Sequence, residues 1–452
     1  MPSVFPFRAV QYAKMTAGKA GAPADVSALV APPYDVLDAE GKAALLRKSD
    51  HNIVAVDLPH IPAKELGPPA AYEGAASTFR GWLESGTLVQ RSTPAIFVYR
   101  QTFTTIGGAK VQRTGVACTI ETVPFGPRPG GGILPHEETF SGPKEDRMAL
   151  MKATRAQLSP IFGLHQDERG TATALLRSVT SSRGPDATAT TDDGTLHEIW
   201  TVEDAATIQA YTDALAGEDV FIADGHHRYN TALNYLRGLE AQGEVPADHP
   251  ARRCMIVLVG MSDPGLVIWP THRVLGGMAG YSFEAFQKAA AGHLSIEPVA
   301  GDLHALDAAL AKAPAGRLGL WDFASGRGYL AAPTTPDPLK TRFESKPEAW
   351  RTLDVAIVQH LLVEQIAQPA LNANQPVKWA FPHTIEEVVE IGAGKEKGSG
   401  GGAAFTPQLG VIVRPTPLEA VRAVSRAGEL MPQKSTFFYP KLATGLFMNS
   451  VG

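Results

Sequence analysis

The order of apolar and polar positions divides the chain into short strands and amphipathic helices in mixed succession. Residues 72–85 place Tyr72, Ala76, Phe79 and Leu83 three or four apart, which predicts a helix that Gly86 stops. Residues 95–104 and 110–119 alternate on either side of Ile106-Gly107-Gly108-Ala109, a hairpin pattern. The segment 52–58 (NIVAVDL) alternates and is β-branched, so a strand is expected there. Helices are expected over 144–157 and 204–216. The clearest local unit starts at 219: DVFIA predicts a short strand, Asp224-Gly225 a turn, and Tyr229, Ala232, Leu233, Leu236 and Leu239 one face of a helix. A buried strand follows at 255–259. Beyond it the pattern gives helices at 282–293, 302–313, 352–366 and 417–427, with strands near 318–331 and at 408–413. Residues 392–404 (GAGKEKGSGGGAA) read as flexible loop. The whole predicts an α+β fold.

Length and composition narrow this picture. At roughly 150 residues per domain, 452 residues allow two or three domains. The expected division is 1–250 and 251–452. Lys and Arg number 41 against 46 Asp and Glu, a net charge of −5, so nucleic acid is not an expected partner. The two cysteines, Cys118 and Cys254, form no CxxC, which removes a disulfide scaffold and a cysteine zinc site. No apolar run approaches the roughly 18 residues of a membrane span, and the first residues lack the apolar core of a signal peptide. A cytoplasmic protein without membrane contact is expected; oligomeric state is not legible.

Three segments carry candidate chemistry. In Asp224-Gly225-His226-His227-Arg228 a strand ends, a glycine permits a tight turn, and a helix begins. The N–H groups and positive dipole end of a helix start suit a phosphate, and Arg228 adds a planar fork. A hairpin at Asp-Gly and a plain cap with surface histidines are the competing readings. Adjacent His226 and His227 point about 100° apart on a helix, so one metal ion does not take both. The second segment is His136-Glu137-Glu138, following Gly130-Gly131-Gly132 and preceding Lys144, Glu145, Asp146 and Arg147. It offers a general base or Mg²⁺ ligands, against a solvated acidic loop. The third, Met431 to Lys441 (MPQKSTFFYPK), has Lys434-Ser435 without the glycines of a P-loop; it lines a pocket or forms a plain closing strand.

Together, PPYDV at 32–36, HEETFSGPKEDR at 136–147, LSPIFGL at 158–164, DGHHRYNTA at 224–232 and MPQKSTFFYPK resemble a bacterial and archaeal family, domain-of-unknown-function family ten-fifteen. DGHHR separately resembles the phosphate-binding turn of the ParB–sulfiredoxin superfamily, which includes free-serine kinases. That second resemblance implies a phosphate-binding mixed-sheet portion in 1–250, carrying the HEET loop and DGHHR turn. A second α/β portion would then hold the 392–404 insert and the closing motif. It further implies a nucleotide-dependent phosphotransferase acting on the hydroxyl of a small metabolite, with ATP or ADP and Mg²⁺ as cofactors. Gly225, His226, His227 and Arg228 would hold phosphate, with Arg147 and Lys434 as outer contacts. Asp224 would orient the turn, and Glu137, Glu138 and His136 would serve as base or metal ligands. The alternatives are a nucleotide-gated regulatory protein of ParB type and a metal-dependent phosphate-ester hydrolase.

Overall fold

The structure is a computed structural model that describes residues 3–16, 22–63, 65–137, 141–395 and 405–452. It divides into two compact units. The first takes residues 1–135, 139–267 and 440–452; the second takes 136–138 and 268–439. Both combine helices with β-sheet, as the α+β expectation requires.

The first unit is built on a ten-stranded mixed sheet. Its order runs Ala24–Asp25, Ala187–Thr190, Leu196–Val202, Ile96–Thr104, Lys110–Glu121, Arg253–Gly260, Ile161–His165, Val220–Asp224 and Ile133–Leu134, with Val4–Phe5 beside Lys110–Glu121. The predicted hairpin is present, with Phe97 to Thr104 paired to Ala117 to Lys110. Arg253–Gly260 pairs antiparallel with Lys110–Glu121 and parallel with Ile161–His165. Its residues Cys254 to Gly260 are all buried, which explains why they read as an unbroken apolar run. The strand lies in the interior of this sheet, so the expected border at 250/251 falls inside the first unit, and the chain leaves it only after Val267.

The helix His226–Glu240 buries Tyr229, Ala232, Leu233 and Leu236, the face its spacing predicted. Tyr229 fastens it further: its hydroxyl donates to Val123 O at 2.7 Å and accepts from Val123 N at 3.0 Å.

The segment 52–58 is not a strand. Val54–Asp57 forms a helical turn. Asn52 starts it, accepting from Val54 N at 3.0 Å while its amide donates to Ala28 O and Val30 O. Ile53, Val54, Val56 and Leu58 are all buried, so the alternation had no solvent side to report.

The second unit carries an antiparallel six-stranded sheet in the order Leu294–Val299, Arg327–Pro333, Leu318–Asp322, Pro407–Ile412, Arg273–Gly276 and Lys378–Ala380. Leu275, Leu318, Leu320, Leu409 and Val411 from its strands pack with Phe286, Leu361 and Leu362 from its helices. Residues 396–404 of the glycine-rich stretch lie outside the described residues.

Candidate functional site

The strand Val220–Asp224 shifts register between Ile222 and Asp224 against its neighbour Ile161–His165. A bulge of this kind re-aims the side chain at the strand end, here Asp224. Gly225 follows with φ +92°, the left-handed region that glycine enters without strain. As the N-cap of the helix that begins at His226, Gly225 has no side chain of its own to cap it. Gly225 is required for a second reason: a Cβ there would stand 3.0 Å from Cζ and Nε of Arg228. The missing side chain lets the guanidinium fold back over the turn.

Arg228 donates from Nη2 to Oδ2 of Asp224 and from Nη1 to the carbonyl of Pro160, the proline of the LSP motif. A guanidinium has more donors than these two bonds use. Oδ1 of Asp224 accepts from the ammonium of Lys441. Burial works against ionisation of Asp224, but Lys441 and Arg228 override it and hold the carboxyl well below the usual range. The side chains of Asp224, Arg228 and Lys441 keep 17%, 11% and 16% exposure, so the trio is shielded yet reachable from solvent.

Beside this turn lies a second charged network, to which two of the sequence motifs contribute. Arg147 donates from Nε to Asp146 at 2.7 Å and from Nη1 to the carbonyl and carboxylate of Asp57 at 2.7 and 3.2 Å. Ser159 donates to the other oxygen of Asp57 at 2.9 Å, and Thr444 donates to Ser159. Asp146 also meets His60 and the hydroxyl of Tyr72, each at 2.8 Å. Burial raises the pKa of Asp57 despite the opposing pull of Arg147. Arg147 is thus committed to two buried carboxylates. Between Arg147 and Arg228 sits a cavity of about 40 Å³, also lined by Asp57, Ser159, Thr231 and Cys254. Its volume suits water and is far below that of a nucleotide. Burial pushes the Cys254 thiol up to about 12 and that of Cys118 higher still, so neither is a thiolate nucleophile at neutral pH.

His136, Glu137 and Lys434 come together in the second unit. The carboxylate of Glu137 accepts from the backbone N–H of Ser435 at 3.1 Å and of Thr436 at 3.3 Å. Lys434 has φ +58°, the left-handed step that turns these two amides toward one acceptor. His136 is fully buried, with Nε2 2.8 Å from the hydroxyl of Thr436. Arg273 donates to the carbonyl of Lys434 at 3.0 Å and braces the same turn. Glu138 lies outside the described residues. Among the described residues no three His, Cys, Asp or Glu side chains are grouped to hold a metal ion. Glu137 brings one carboxylate, and it already serves two amides.

The sequence reading selected the turn and Arg147 but passed over Asp57, Ser159 and Lys441. Asp57 was hidden by the strand reading. Lys441 stands directly after Pro440, whose fixed φ marks a backbone held in place, and that was its available signal.

Among the described residues no helix is long and apolar enough to cross a membrane. No curated protein matches the sequence. Among solved structures the chain is similar to a free serine kinase in complex with AMP, at 12% identity over 72% of this chain and 95% of that one, TM-score 0.32. A mutant free serine kinase in complex with ADP gives 13% identity over the same shares, TM-score 0.32. C-terminally truncated SbnI from Staphylococcus aureus gives 10% identity over 70% of this chain and 83% of that one, TM-score 0.31. Residues 4–356 match the family described as protein of unknown function (DUF1015), and the chain belongs to that family.

Proposed function

We propose that this protein is a nucleotide-dependent phosphotransferase that phosphorylates the hydroxyl of a small metabolite, with the nucleotide phosphates held at the Asp224–Arg228 turn. One observation carries the reading: the left-handed Gly225 brings the Arg228 guanidinium over the first turn of the helix His226–Glu240. Backbone N–H groups, the helix dipole and a planar cation then converge on one small volume, the combination that binds phosphate. The resemblance of DGHHR to the turn of free-serine kinases makes serine the sharpest choice of acceptor.

In the reaction the acceptor oxygen attacks the terminal phosphorus, the bond from phosphorus to the bridging oxygen of the nucleoside diphosphate breaks, and the hydroxyl proton passes to a base. Such transfer needs positioning and charge neutralisation more than covalent help. The turn supplies donors and Asp224 orients the guanidinium.

The test is thermal stabilisation by ATP, ADP, CTP and GTP, with and without Mg²⁺, for the wild type and Arg228→Ala. A ligand of the native state raises the melting temperature by mass action. A selective shift that Arg228→Ala abolishes, followed by transfer of phosphate from ATP to serine, is the expected result. No shift at millimolar nucleotide would sink the reading.

A further inference from the structure

We infer that Asp35, on the PPYDV turn, is the general base that takes the proton of the acceptor hydroxyl. The inference rests on the reading of the Asp224–Arg228 turn as a phosphate site and names the base that reading leaves open.

Most acids around Arg228 are already engaged. Asp224 is bound by Arg228 and Lys441. Asp57 accepts from Arg147 on one oxygen and from Ser159 on the other, and Asp146 is held by Arg147, His60 and Tyr72. Asp57 and Asp146 are buried as well, so no acceptor reaches them. Asp35 differs. Its Oδ1 is buried without a hydrogen-bond partner, and among the described residues neither oxygen forms a hydrogen bond or an ion pair. An unpaired buried carboxylate oxygen costs stability, and a catalytic role is one of the few reasons for a fold to hold one.

The turn that carries Asp35 is fixed beside the phosphate turn. Pro33 sets the backbone, and the N–H of Val36 donates to its carbonyl at 3.2 Å, closing one tight helical turn over Tyr34–Val36. Tyr34 is buried under Arg147, whose guanidinium lies 3.9 Å from the ring centre. Ala31 exchanges two backbone bonds with Thr444, at 3.1 and 2.8 Å, and the Thr444 hydroxyl donates to Ser159 at 3.1 Å. The next residue, Pro160, gives its carbonyl to Arg228. Ser159-Pro160 therefore ties the two turns together. Burial opposes the charge of Arg228, and after Asp224 it is Asp35 that favours it most. Asp35 is half-buried and its neighbour Val36 is 38% exposed, so the carboxylate lies where a small acceptor arrives from solvent.

With the phosphates on the helix start, the acceptor oxygen bonds to the terminal phosphorus as the bond to the bridging oxygen breaks. That electron pair leaves with the nucleoside diphosphate, and the hydroxyl proton moves to Asp35, which returns it to solvent. A carboxylate with no donors of its own takes that proton with nothing to displace.

The experiment compares wild type, Asp35→Asn and Asp35→Ala in melting temperature, in calorimetric binding of ATP, and in ADP formed from ATP with serine as acceptor. Because Asp35 makes no bond within the fold, neither melting temperature nor ATP affinity should fall in Asp35→Asn. Turnover at saturating serine should drop about a hundredfold or more, the scale of general-base catalysis, with KM for serine within a few-fold. Added formate should restore part of the turnover of Asp35→Ala. An Asp35→Asn protein that turns over like wild type removes Asp35 from the chemistry, while the phosphate site stands. Turnover lost together with melting temperature or ATP affinity makes the residue structural and overturns the inference, as does a loss in Asp35→Ala that formate leaves untouched. If wild type forms no ADP from ATP, the phosphotransferase reading itself fails, and the role of Asp35 with it.

Discussion

Arg147 lies with its guanidinium 3.9 Å from the centre of the Tyr34 ring while donating to Asp57 and Asp146. The PPYDV turn, the KEDR helix and the 54–57 turn thus meet on one side chain that is 6% exposed. Burial opposes its charge, and the two carboxylates more than restore it, so its pKa lies above the ordinary value. Removing the cation leaves both acids buried without their partner. Arg147→Met is therefore expected to destabilise the protein by about 3–5 kcal/mol, read as a drop in the urea midpoint. A variant as stable as wild type, with only ligand binding impaired, would return Arg147 to the role of phosphate contact.

Gly225→Ala tests the turn itself. Alanine at φ +92° is strained, and its methyl group would press on Cζ and Nε of Arg228. A loss of about 1–3 kcal/mol is expected from the backbone alone. Displacement of the guanidinium should weaken nucleotide-dependent stabilisation in the same variant. Thermal melts with and without nucleotide separate the two effects.

His197 sets a pH dependence in the first unit. It is buried between the hydroxyls of Tyr99 and Thr191, at 2.6 and 3.0 Å, and burial pushes its pKa down to about 4. An unfolded histidine titrates near 6.5. Between those values the unfolded chain binds the proton that the folded one refuses. The stability contribution is therefore complete above about pH 6.5 and falls by about 3 kcal/mol as the pH drops to 4. His197→Asn should flatten the stability profile in that window, measured by denaturant titration from pH 4 to 7.5. An unchanged slope would mean the imidazole is protonated inside the fold.

Glu137 is separable from the turn chemistry. Its oxygen serves the N–H groups of Ser435 and Thr436, so Glu137→Ala should cost about 1–3 kcal/mol in the second unit. Glu137→Gln keeps an acceptor and should fold normally. A large loss of turnover in a Glu137→Gln protein of normal stability would assign it a catalytic role.

The strand–turn–helix at 220–240 was legible because its apolar spacing and its glycine answer to local physics. The face Tyr229, Ala232, Leu233 and Leu236 is buried where the period of 3.6 put it. The turn at 54–57 was not legible, because its start depends on Asn52 reaching Ala28 and Val30, partners that no local window contains. Motif recognition grouped PPYDV, KEDR, LSP and DGHHR, and the structure gathers all four in the first unit through Arg147, Asp57, Ser159 and Arg228. What the motifs did not disclose is who holds whom. Arg147 offered itself as a ligand contact by its type alone, whereas its carboxylate partner Asp57 is 90 positions away. Lys441 likewise reaches Asp224 across 217 positions.

The return of residues 440–452 to the first unit has a consequence for synthesis. A ribosome releases residues 1–267 long before it makes this last piece, with the whole of 268–439 in between. Until then Tyr99 and Phe97 lack Phe447 against their rings, Gln101 lacks the carbonyl of Lys441, and Asp224 has Arg228 alone. The charged trio therefore cannot form before Lys441 has been made. A translation product that stops short of residue 440 is left with an open first unit and an incomplete turn, so its assembly doubles as a check that translation has run through the second unit.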